Sequence, residues 1–304
     1  MNNNKLIVSI DVEDWYHGPK VISANNRKVE DLRIKIPSCE RGFMYIDRCL
    51  ELLSLYNIKA TFFWVAEYAK KYPHYFQKTV DAGHEIACHG LHHYSKVNRV
   101  TKEDVFTPQE FYRRTREAKD ILEQMSGKQV LGYRAPNAYI SGKIIDVLEE
   151  LGFRYDSSVS RNSMYNKTSS SLQGVSSHPY YPMSGEICPG QAKRGIIEFP
   201  WPYFEIGGYK IQTAGGPFLR IFGATLIKLG LRQSLHRGHS VFYFHPMDFI
   251  QEDLPIQMDW KWHLFWWPRG KIVVNRVDHI LKEFQSRATN FELILQQISQ
   301  SHGF

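Results

Sequence analysis

The chain lacks most of the features that mark a membrane-spanning or a disulfide-stabilised protein. No stretch approaches the roughly 18 consecutive apolar residues of a transmembrane helix. The apolar run near the N-terminus is too short for the core of a signal peptide. Only 4 cysteines occur in 304 residues and none form a CxxC pair, so their spacing fits neither a zinc ribbon nor a dense disulfide framework. These absences favour a cytoplasmic protein with reduced thiols, with peripheral attachment to the inner membrane as an alternative.

Runs of like charge are also missing. The net charge is +7, but no five basic residues stand together, and this scattered distribution argues against nucleic-acid binding. An excess of positive charge favours anionic partners such as phosphorylated carriers, acidic glycans or a membrane surface. The composition, 43% hydrophobic and 14% aromatic, is typical of a globular protein, and it leaves the oligomeric state open.

Short apolar runs alternate with amphipathic helical patterns along the chain. Helices are predicted from Thr107 to Gly127 and from Ser141 to Gly152, each with a capping residue at its start and a glycine at its end. The apolar runs are rich in β-branched and aromatic residues and predict seven buried strands, at residues 5–10, 59–65, 84–88, 129–133, 153–159, 196–200 and 240–244. Alternating strands and helices predict a mainly parallel sheet, either open or closed into a barrel.

Two regions depart from this alternation. Residues 160–195 are rich in Ser, Tyr, Asn and Pro and are predicted to form a long loop. Residues 251–272 are dense in tryptophan, including Trp260 and Trp262. These rings suit stacking on sugars, or else a hydrophobic plug or a membrane-surface patch flanked by Lys261, Arg269 and Lys271.

Polar residues follow or lie within five of the predicted strands. They are Asp11, His89, Arg134, Asp156 and His245. The carboxyl ends of parallel strands meet at one edge of a sheet, and in barrels and doubly wound folds this edge carries the chemistry. We therefore expect these residues to form one site, although they are far apart in the sequence.

The turn after the first strand is unusually acidic. It reads DVED and contains Asp11, Glu13 and Asp14. Carboxylates crowded at the end of a buried strand are unfavourable unless a cation offsets them. The alternative is an ordinary solvated turn.

The segment HEIACHGLHH contains four histidines. His89 and His93 are four residues apart, and with one carboxylate and an open position for water they would suit a catalytic divalent metal. The alternative is a pair of surface-loop histidines. His84 begins the predicted strand and is expected to make structural hydrogen bonds, whereas His92 is out of register and is expected to point elsewhere.

Two further motifs offer an arginine and an imidazole. In GYRAP, Pro136 biases Ala135 toward an extended conformation and so fixes how Arg134 projects, where it can orient a carboxylate or form a structural salt bridge. In FYFHP, His245 could serve as a general acid if a carboxylate such as Asp156 adjusted its pKa. The alternative is a hydrogen-bonded residue at a strand end.

Taken in order, the motifs SIDVEDW, HGLHH, GYRAP, YDSS and FYFHP resemble those of the polysaccharide deacetylases of carbohydrate esterase family four, the chitooligosaccharide-deacetylase homology group. The resemblance covers roughly residues 5–250 and is closest to the branch associated with exopolysaccharide biosynthesis. It implies a distorted (β/α) barrel of about seven parallel strands. The barrel is expected over residues 1–250, with residues 251–304 forming an aromatic loop and a helical extension packed on the same domain.

The resemblance also implies a reaction, which is metal-dependent hydrolysis of an N-acetyl, sometimes an O-acetyl, group on a sugar. His89 and His93 would be metal ligands together with one acid of the DVED turn, and the remaining roles would fall to Asp11 as general base, Arg134 holding that base, His245 as general acid and Asp156 adjusting His245. Zinc is the default metal, and nickel, cobalt or iron would satisfy the same ligands. The family places two aspartates in succession, whereas Val12 follows Asp11 here, so the ligand must be Asp14 or Glu13. We favour Asp14 for its shorter side chain.

An N-acetylated glycan is therefore the expected substrate, and its sugar, linkage and carrier stay open. Substrate contacts are expected from Trp15, Tyr16, Pro136, Trp260 and Trp262. Two alternatives are an amide hydrolase acting on a small non-peptide C–N substrate and a non-catalytic glycan-binding protein with the same fold.

Overall fold

Eight parallel strands form the main sheet of the computed structural model, which describes residues 3–14, 40–98, 100–252 and 266–301. All seven predicted strands are present. The strands of this sheet are β1 (Leu6–Val12), β2 (Thr61–Trp64), β3 (Glu85–Cys88), β4 (Gly132–Tyr133), β5 (Tyr155–Asp156), β6 (Ile197–Glu198), β9 (Ser240–Phe244) and β10 (Ala288–Thr289). Between them, β7 (Tyr203–Ile206) and β8 (Tyr209–Gln212) pair as an antiparallel hairpin.

The first strand is second in the strand order β9-β1-β2-β3-β4-β5-β6, between β9 and β2. Its last four residues pair with β2, and its beginning also pairs with the two-residue strand β10. Every residue of β1 is buried, as expected for a parallel strand that is covered on both faces. The arrangement is the predicted distorted (β/α) barrel.

The helices surround this sheet. They are α1 (Arg41–Met44), α2 (Ile46–Leu55), α3 (Ala66–Lys71), α4 (Pro73–Asp81), α5 (Pro108–Ser126), α6 (Gly142–Glu150), α7 (Pro217–Arg237), α8 (Lys271–Phe284) and α9 (Phe291–Ser301). The two helices predicted from caps are α5 and α6. Thr107 accepts a hydrogen bond from the backbone N–H of Glu110, and Gly127 adopts the left-handed conformation that ends α5.

The end of the barrel at which the strands begin is filled by aromatic side chains. Phe291, the first residue of α9, stacks on Tyr155 with 4.4 Å between ring centroids and meets Phe63 and Phe199 edge-on. Burying a side chain of this size contributes about 2–3 kcal/mol. The opposite end, where the strands finish, is left for the site.

The predicted loop over residues 160–195 is confirmed, because isolated bridges are its only regular pairings. Most of the tryptophan-rich segment, including Trp260 and Trp262, lies outside the described residues. Of its described part, Trp266 is buried and Trp267 is 69% exposed. Among the described helices, none combines the length and the hydropathy needed to cross a membrane.

Candidate metal centre and active site

The carboxylate of Glu13 lies among three imidazoles just beyond β1. Its Oε2 atom is in direct contact with Nε2 of His93 and lies 3.6 Å from Nε2 of His89. Its Oε1 atom lies 3.5 Å from Nε2 of His245. Burial alone would raise the pKa of Glu13, but the imidazoles of His93, His89 and His245 hold it well below its ordinary value. The carboxyl group is therefore ionised.

Glu13, His89 and His93 have the composition and the spacing of a metal site. All three are buried, and one potential ligand atom from each lies within 4.8 Å of the others. Ligand atoms bound to zinc at about 2.1 Å in a tetrahedron lie about 3.4 Å apart, close to the distance between Glu13 and His89. His89 donates a hydrogen bond from Nδ1 to the carbonyl oxygen of Arg134 at 2.8 Å, so its Nε2 lone pair faces the carboxylate. The residues fit a divalent cation.

The favoured carboxylate ligand, Asp14, does not belong to this group. Asp14 is buried, yet the cluster contains Glu13, the alternative that the sequence left open. The physical reason is the alternation of side chains along an extended chain, which places Asp11 and Glu13 on one side and Val12 and Asp14 on the other. Asp11 lines the same cavity as Glu13, while Val12 lies in the hydrophobic core.

The other two histidines of the HEIACHGLHH segment, His84 and His92, have the contacts predicted for them. His84 accepts a hydrogen bond on Nδ1 from the backbone N–H of Ala60, 3.2 Å away, and burial lowers its pKa to about 4. His92 is partly exposed and places Nδ1 2.9 Å from Glu67. Neither belongs to the cluster of Glu13, His89 and His93.

Asp11 is held by the buried arginine of the GYRAP motif. Nη1 of Arg134 donates to Oδ1 of Asp11 at 2.6 Å and to Oγ of Ser9 at 2.9 Å. The remaining guanidinium donors bind Ser157 through its carbonyl and hydroxyl oxygens. The guanidinium also lies 4.1 Å above the ring of Phe63. These contacts hold the guanidinium in place, and its Nη1 in turn holds the Asp11 carboxylate.

His245 is paired with Asp248 and not with Asp156. Oδ2 of Asp248 accepts from both the backbone N–H of His245 at 2.9 Å and its Nδ1 at 3.0 Å. Burial opposes protonation of His245, but the carboxylates of Asp248, Glu13 and Asp11 outweigh it and raise its pKa to about 9. The short turn HPMD brings the two residues together, so the partner of His245 lies two residues beyond the FYFHP motif.

Asp156, which was expected to adjust His245, has other partners. Its two oxygens accept from the hydroxyl and the backbone N–H of Ser158 at 2.8 and 3.0 Å. Its carboxyl group is also hydrogen-bonded to that of Glu198 on the adjacent strand, and burial raises the pKa of both groups. The hydroxyl of Ser158 in turn accepts a hydrogen bond from the backbone N–H of Ala135. Asp156 therefore stabilises the loop after β5.

A cavity of about 420 Å³ joins these groups. Asp11, Glu13, His89 and His245 line it at the strand ends. Its other lining residues are mainly aromatic or apolar, and those that the sequence analysis missed include Tyr139, Tyr165, Lys167, Trp201 and Phe218. Trp201 directly follows the strand motif IIEFP, so the rule that led to His245 could also have found Trp201.

The predicted substrate contacts are only partly covered by the structure. Trp15, Tyr16, Trp260 and Trp262 lie outside the described residues. Pro136 is buried and does not line the cavity, but the residues on either side of it do. Asn137 and Ala138 adopt positive φ angles of 60° and 56°, a conformation that costs residues other than glycine about 1–3 kcal/mol and tends to occur at functional sites.

Solved structures share this fold along nearly the whole chain. A protein from Mycobacterium smegmatis assigned as a polysaccharide deacetylase is 18% identical, with a TM-score of 0.63 over 99% of this chain and 93% of its own. A PuuE allantoinase is 16% identical, with a TM-score of 0.60 over the same shares of both chains. At these identities the likeness establishes the fold.

The family model for polysaccharide deacetylases matches residues 44–155. Residues 163–291 match a second model, a domain of unknown function named DUF3473. A peptidoglycan deacetylase from Helicobacter pylori is 29% identical over 123 residues, which are 40% of this chain and 39% of that protein. The chain therefore contains a polysaccharide deacetylase domain of carbohydrate esterase family four, and its pairing with the second region is consistent with the exopolysaccharide-associated branch.

Proposed function

We propose that the protein is a divalent-metal-dependent hydrolase that removes an N-acetyl group from a sugar of a glycan. The observation that carries the proposal is the position of Glu13. Its carboxylate contacts the two histidines suited to bind a metal on one side and His245 on the other. Cation binding and proton donation would therefore act within a few ångströms of each other, in a cavity that also contains Asp11.

In this proposal Glu13, His89 and His93 hold the metal. A divalent cation bound there would polarise an acyl oxygen and lower the pKa of water. Zinc is the favoured ion for two imidazoles and a carboxylate, with nickel, cobalt and iron as alternatives. The carbonyl of Arg134 would keep His89 in the tautomer that presents Nε2 to the metal.

Asp11 is the proposed general base. One of its oxygens is held by Arg134, so the carboxylate keeps a fixed direction toward the cavity while it accepts a proton from the attacking water. A base of this kind typically contributes about 10²–10⁴-fold to the rate.

His245 is the proposed general acid. Asp248 binds its Nδ1–H and favours the doubly protonated ring, which leaves Nε2–H to be donated to the departing sugar nitrogen. Amine expulsion from an amide requires that proton. The same N–H can also stabilise negative charge that develops on the acyl oxygen.

The acetate released from N-acetylated chito-oligosaccharides and peptidoglycan, measured with the metal-replete protein, would test the proposal. We expect release that a chelator abolishes and zinc restores, and that is lost in His89→Ala and Asp11→Asn. His92→Ala is the matched control, since His92 contacts Glu67 and should leave activity intact. Sugar binding without turnover in metal-loaded protein would instead identify a non-catalytic glycan-binding protein.

A small non-peptide amide is the second candidate substrate, because the fold is shared with an allantoinase. Two exposed residues of the cavity wall, Met164 at 47% and Ile221 at 53%, indicate that the cavity opens to solvent, which suits a polymer better than a small amide. Hydrolysis of a cyclic ureide in preference to every N-acetylated glycan would favour the alternative. A cytoplasmic location stays a prediction.

A further inference from the structure

Arg220 binds the Asp248 side of the Asp248–His245 pair and also lines the cavity. It belongs to α7, within the region that matches the domain of unknown function. Its Nη2 donates to Oδ1 of Asp248 at 2.5 Å, and both side chains are almost completely buried. Its guanidinium also lies 3.9 Å above the ring of Trp266. A buried arginine with a carboxylate on one side and an indole on the other has little freedom to move.

The start of α7 is pressed against β9, which brings Arg220 to this position. Gly215 has a φ of 127°, and a Cβ atom there would lie 1.9 Å from the carbonyl oxygen of Tyr243. The backbone N–H of Tyr243 donates to Ala214, and that of Gly216 donates back to Tyr243. The residue that precedes the helix, Gly216, is therefore bonded to Tyr243, which lies two residues before His245. Arg220, the fourth residue of α7, reaches Asp248 from the end of the first helical turn.

We infer that Arg220 is a positioning residue that fixes the Asp248 carboxylate and thereby the orientation of the His245 ring. Asp248 uses one oxygen for each neighbour, Oδ1 for Arg220 and Oδ2 for the backbone N–H and Nδ1 of His245. Held from both sides, the carboxylate cannot rotate away from the imidazole. Residues 163–291 therefore supply Arg220, which completes the part of the site around the proposed general acid. The role of His245 in catalysis rests on the proposed function.

The orientation of the His245 ring can be tested without an activity assay. In metal-replete protein, the Nδ1 proton of His245 should give a slowly exchanging downfield NMR resonance, identified by its absence in His245→Gln. We expect Arg220→Met to lose or broaden this resonance and Arg220→Lys to retain it. Arg232→Met is the control on the same helix, because Arg232 is exposed and pairs with Glu283. An unchanged resonance in Arg220→Met would overturn the inference. Arg220→Gln is interpreted in the same way if Arg220→Met does not fold.

The catalytic part is tested with two probes that share an acetyl group. 4-Nitroacetanilide needs a proton on its departing nitrogen, whereas 4-nitrophenyl acetate releases a stable phenolate without one. We expect Arg220→Met to lower kcat for the anilide about 10²-fold, as for a misplaced general acid, with KM little changed and the ester rate within a few-fold of wild type. An equal loss on both probes would refute a positioning role. If the resonance responds as expected but wild type cleaves neither the anilide nor any glycan, the proposed function fails and the positioning of His245 stands.

Discussion

Nη1 of Arg134 and Oδ1 of Asp11 lie 2.6 Å apart and form an ion pair that is almost completely buried. Asp11 lies near the end of β1, and Arg134 directly follows β4. These strands are not adjacent, because β2 and β3 lie between them. A charge pair in the interior is stabilising only while both partners are present, because each would otherwise be an uncompensated buried ion. This pair therefore contributes both to the stability of the barrel and to the position of Asp11, the proposed base.

Replacing Arg134 by methionine should destabilise the fold strongly. The change leaves Asp11 buried without its counter-ion and removes the donors to Ser9 and Ser157, so we expect the free energy of unfolding to fall by about 3–5 kcal/mol. Urea unfolding at neutral pH measures the difference. Arg116→Met is the control, because the Arg116–Asp120 pair is more than half exposed and should contribute nothing measurable. Equal effects of the two substitutions would show that the buried pair does not stabilise the barrel.

The choice between two neighbouring acids can be decided by metal content. We expect Glu13→Gln to lose bound zinc, since it removes the charged oxygen that lies next to both histidines. Asp14→Asn should retain about one zinc per chain, since Asp14 lies outside the cluster. Elemental analysis after dialysis against metal-free buffer measures both. Loss of zinc in Asp14→Asn with retention in Glu13→Gln would restore the assignment made from side-chain length.

Most of the fold could be predicted from the sequence because its signals are local. Seven apolar runs gave seven strands, and capping residues located α5 and α6. The two-residue strand β10 was missed, because Ala288 and Thr289 are too few to show a periodic pattern. They pair with β1 only through tertiary packing. Short strands of this kind depend on their neighbours and not on intrinsic propensity.

The site was predicted less completely, for a different reason. Strand-end position pointed to Asp11, His89 and His245, which line one cavity, and to Arg134, which binds Asp11 beside it. The identity of a partner depends on side-chain direction, which residue type alone does not give. Alternation along the chain favours Glu13 over Asp14, and the four-residue turn from His245 to Asp248 favours Asp248 over Asp156. Arg220 carried no sequence signal, since it lies within a helix far from every motif.

The buried carboxyl pair of Asp156 and Glu198 should tolerate one conservative change. Burial, and the nearby charge of Asp156, raise the pKa of Glu198 well above its ordinary value, which favours the protonated carboxyl that can donate to Asp156. A glutamine can accept from the backbone N–H of Val159 and donate to Asp156 in the same way. We expect Glu198→Gln to change the free energy of unfolding by less than about 1 kcal/mol, and Glu198→Ala to lower it by about 3 kcal/mol. Chemical denaturation at pH 7 measures both, and a large loss in Glu198→Gln would show that Glu198 is ionised.

His84 and Glu85 should give the barrel opposing pH dependences. Burial raises the pKa of Glu85 to about 7, although Thr61, Tyr155 and the backbone of Glu292 bind its oxygens. The unfolded chain ionises this carboxyl near pH 4.5 and the folded one only near pH 7, so its contribution to stability falls as pH rises through that window. Burial lowers the pKa of His84 to about 4. The unfolded chain protonates this ring near pH 6.5, so its contribution falls as pH drops from 6.5 to 4. Each shift corresponds to about 3 kcal/mol.

The two contributions can be separated by comparing each variant with wild type at every pH. For Glu85→Gln, the free energy of unfolding relative to wild type should rise by about 3 kcal/mol between pH 4.5 and 7, because the variant has no carboxyl to ionise. For His84→Gln, the same difference should fall by a similar amount between pH 4 and 6.5, because wild type regains the stability that protonation of the unfolded ring had removed. Urea unfolding at half-unit steps of pH measures both differences. A flat difference for Glu85→Gln would mean that Glu85 ionises in the folded barrel as readily as in water, and that its three hydrogen-bond donors outweigh its burial.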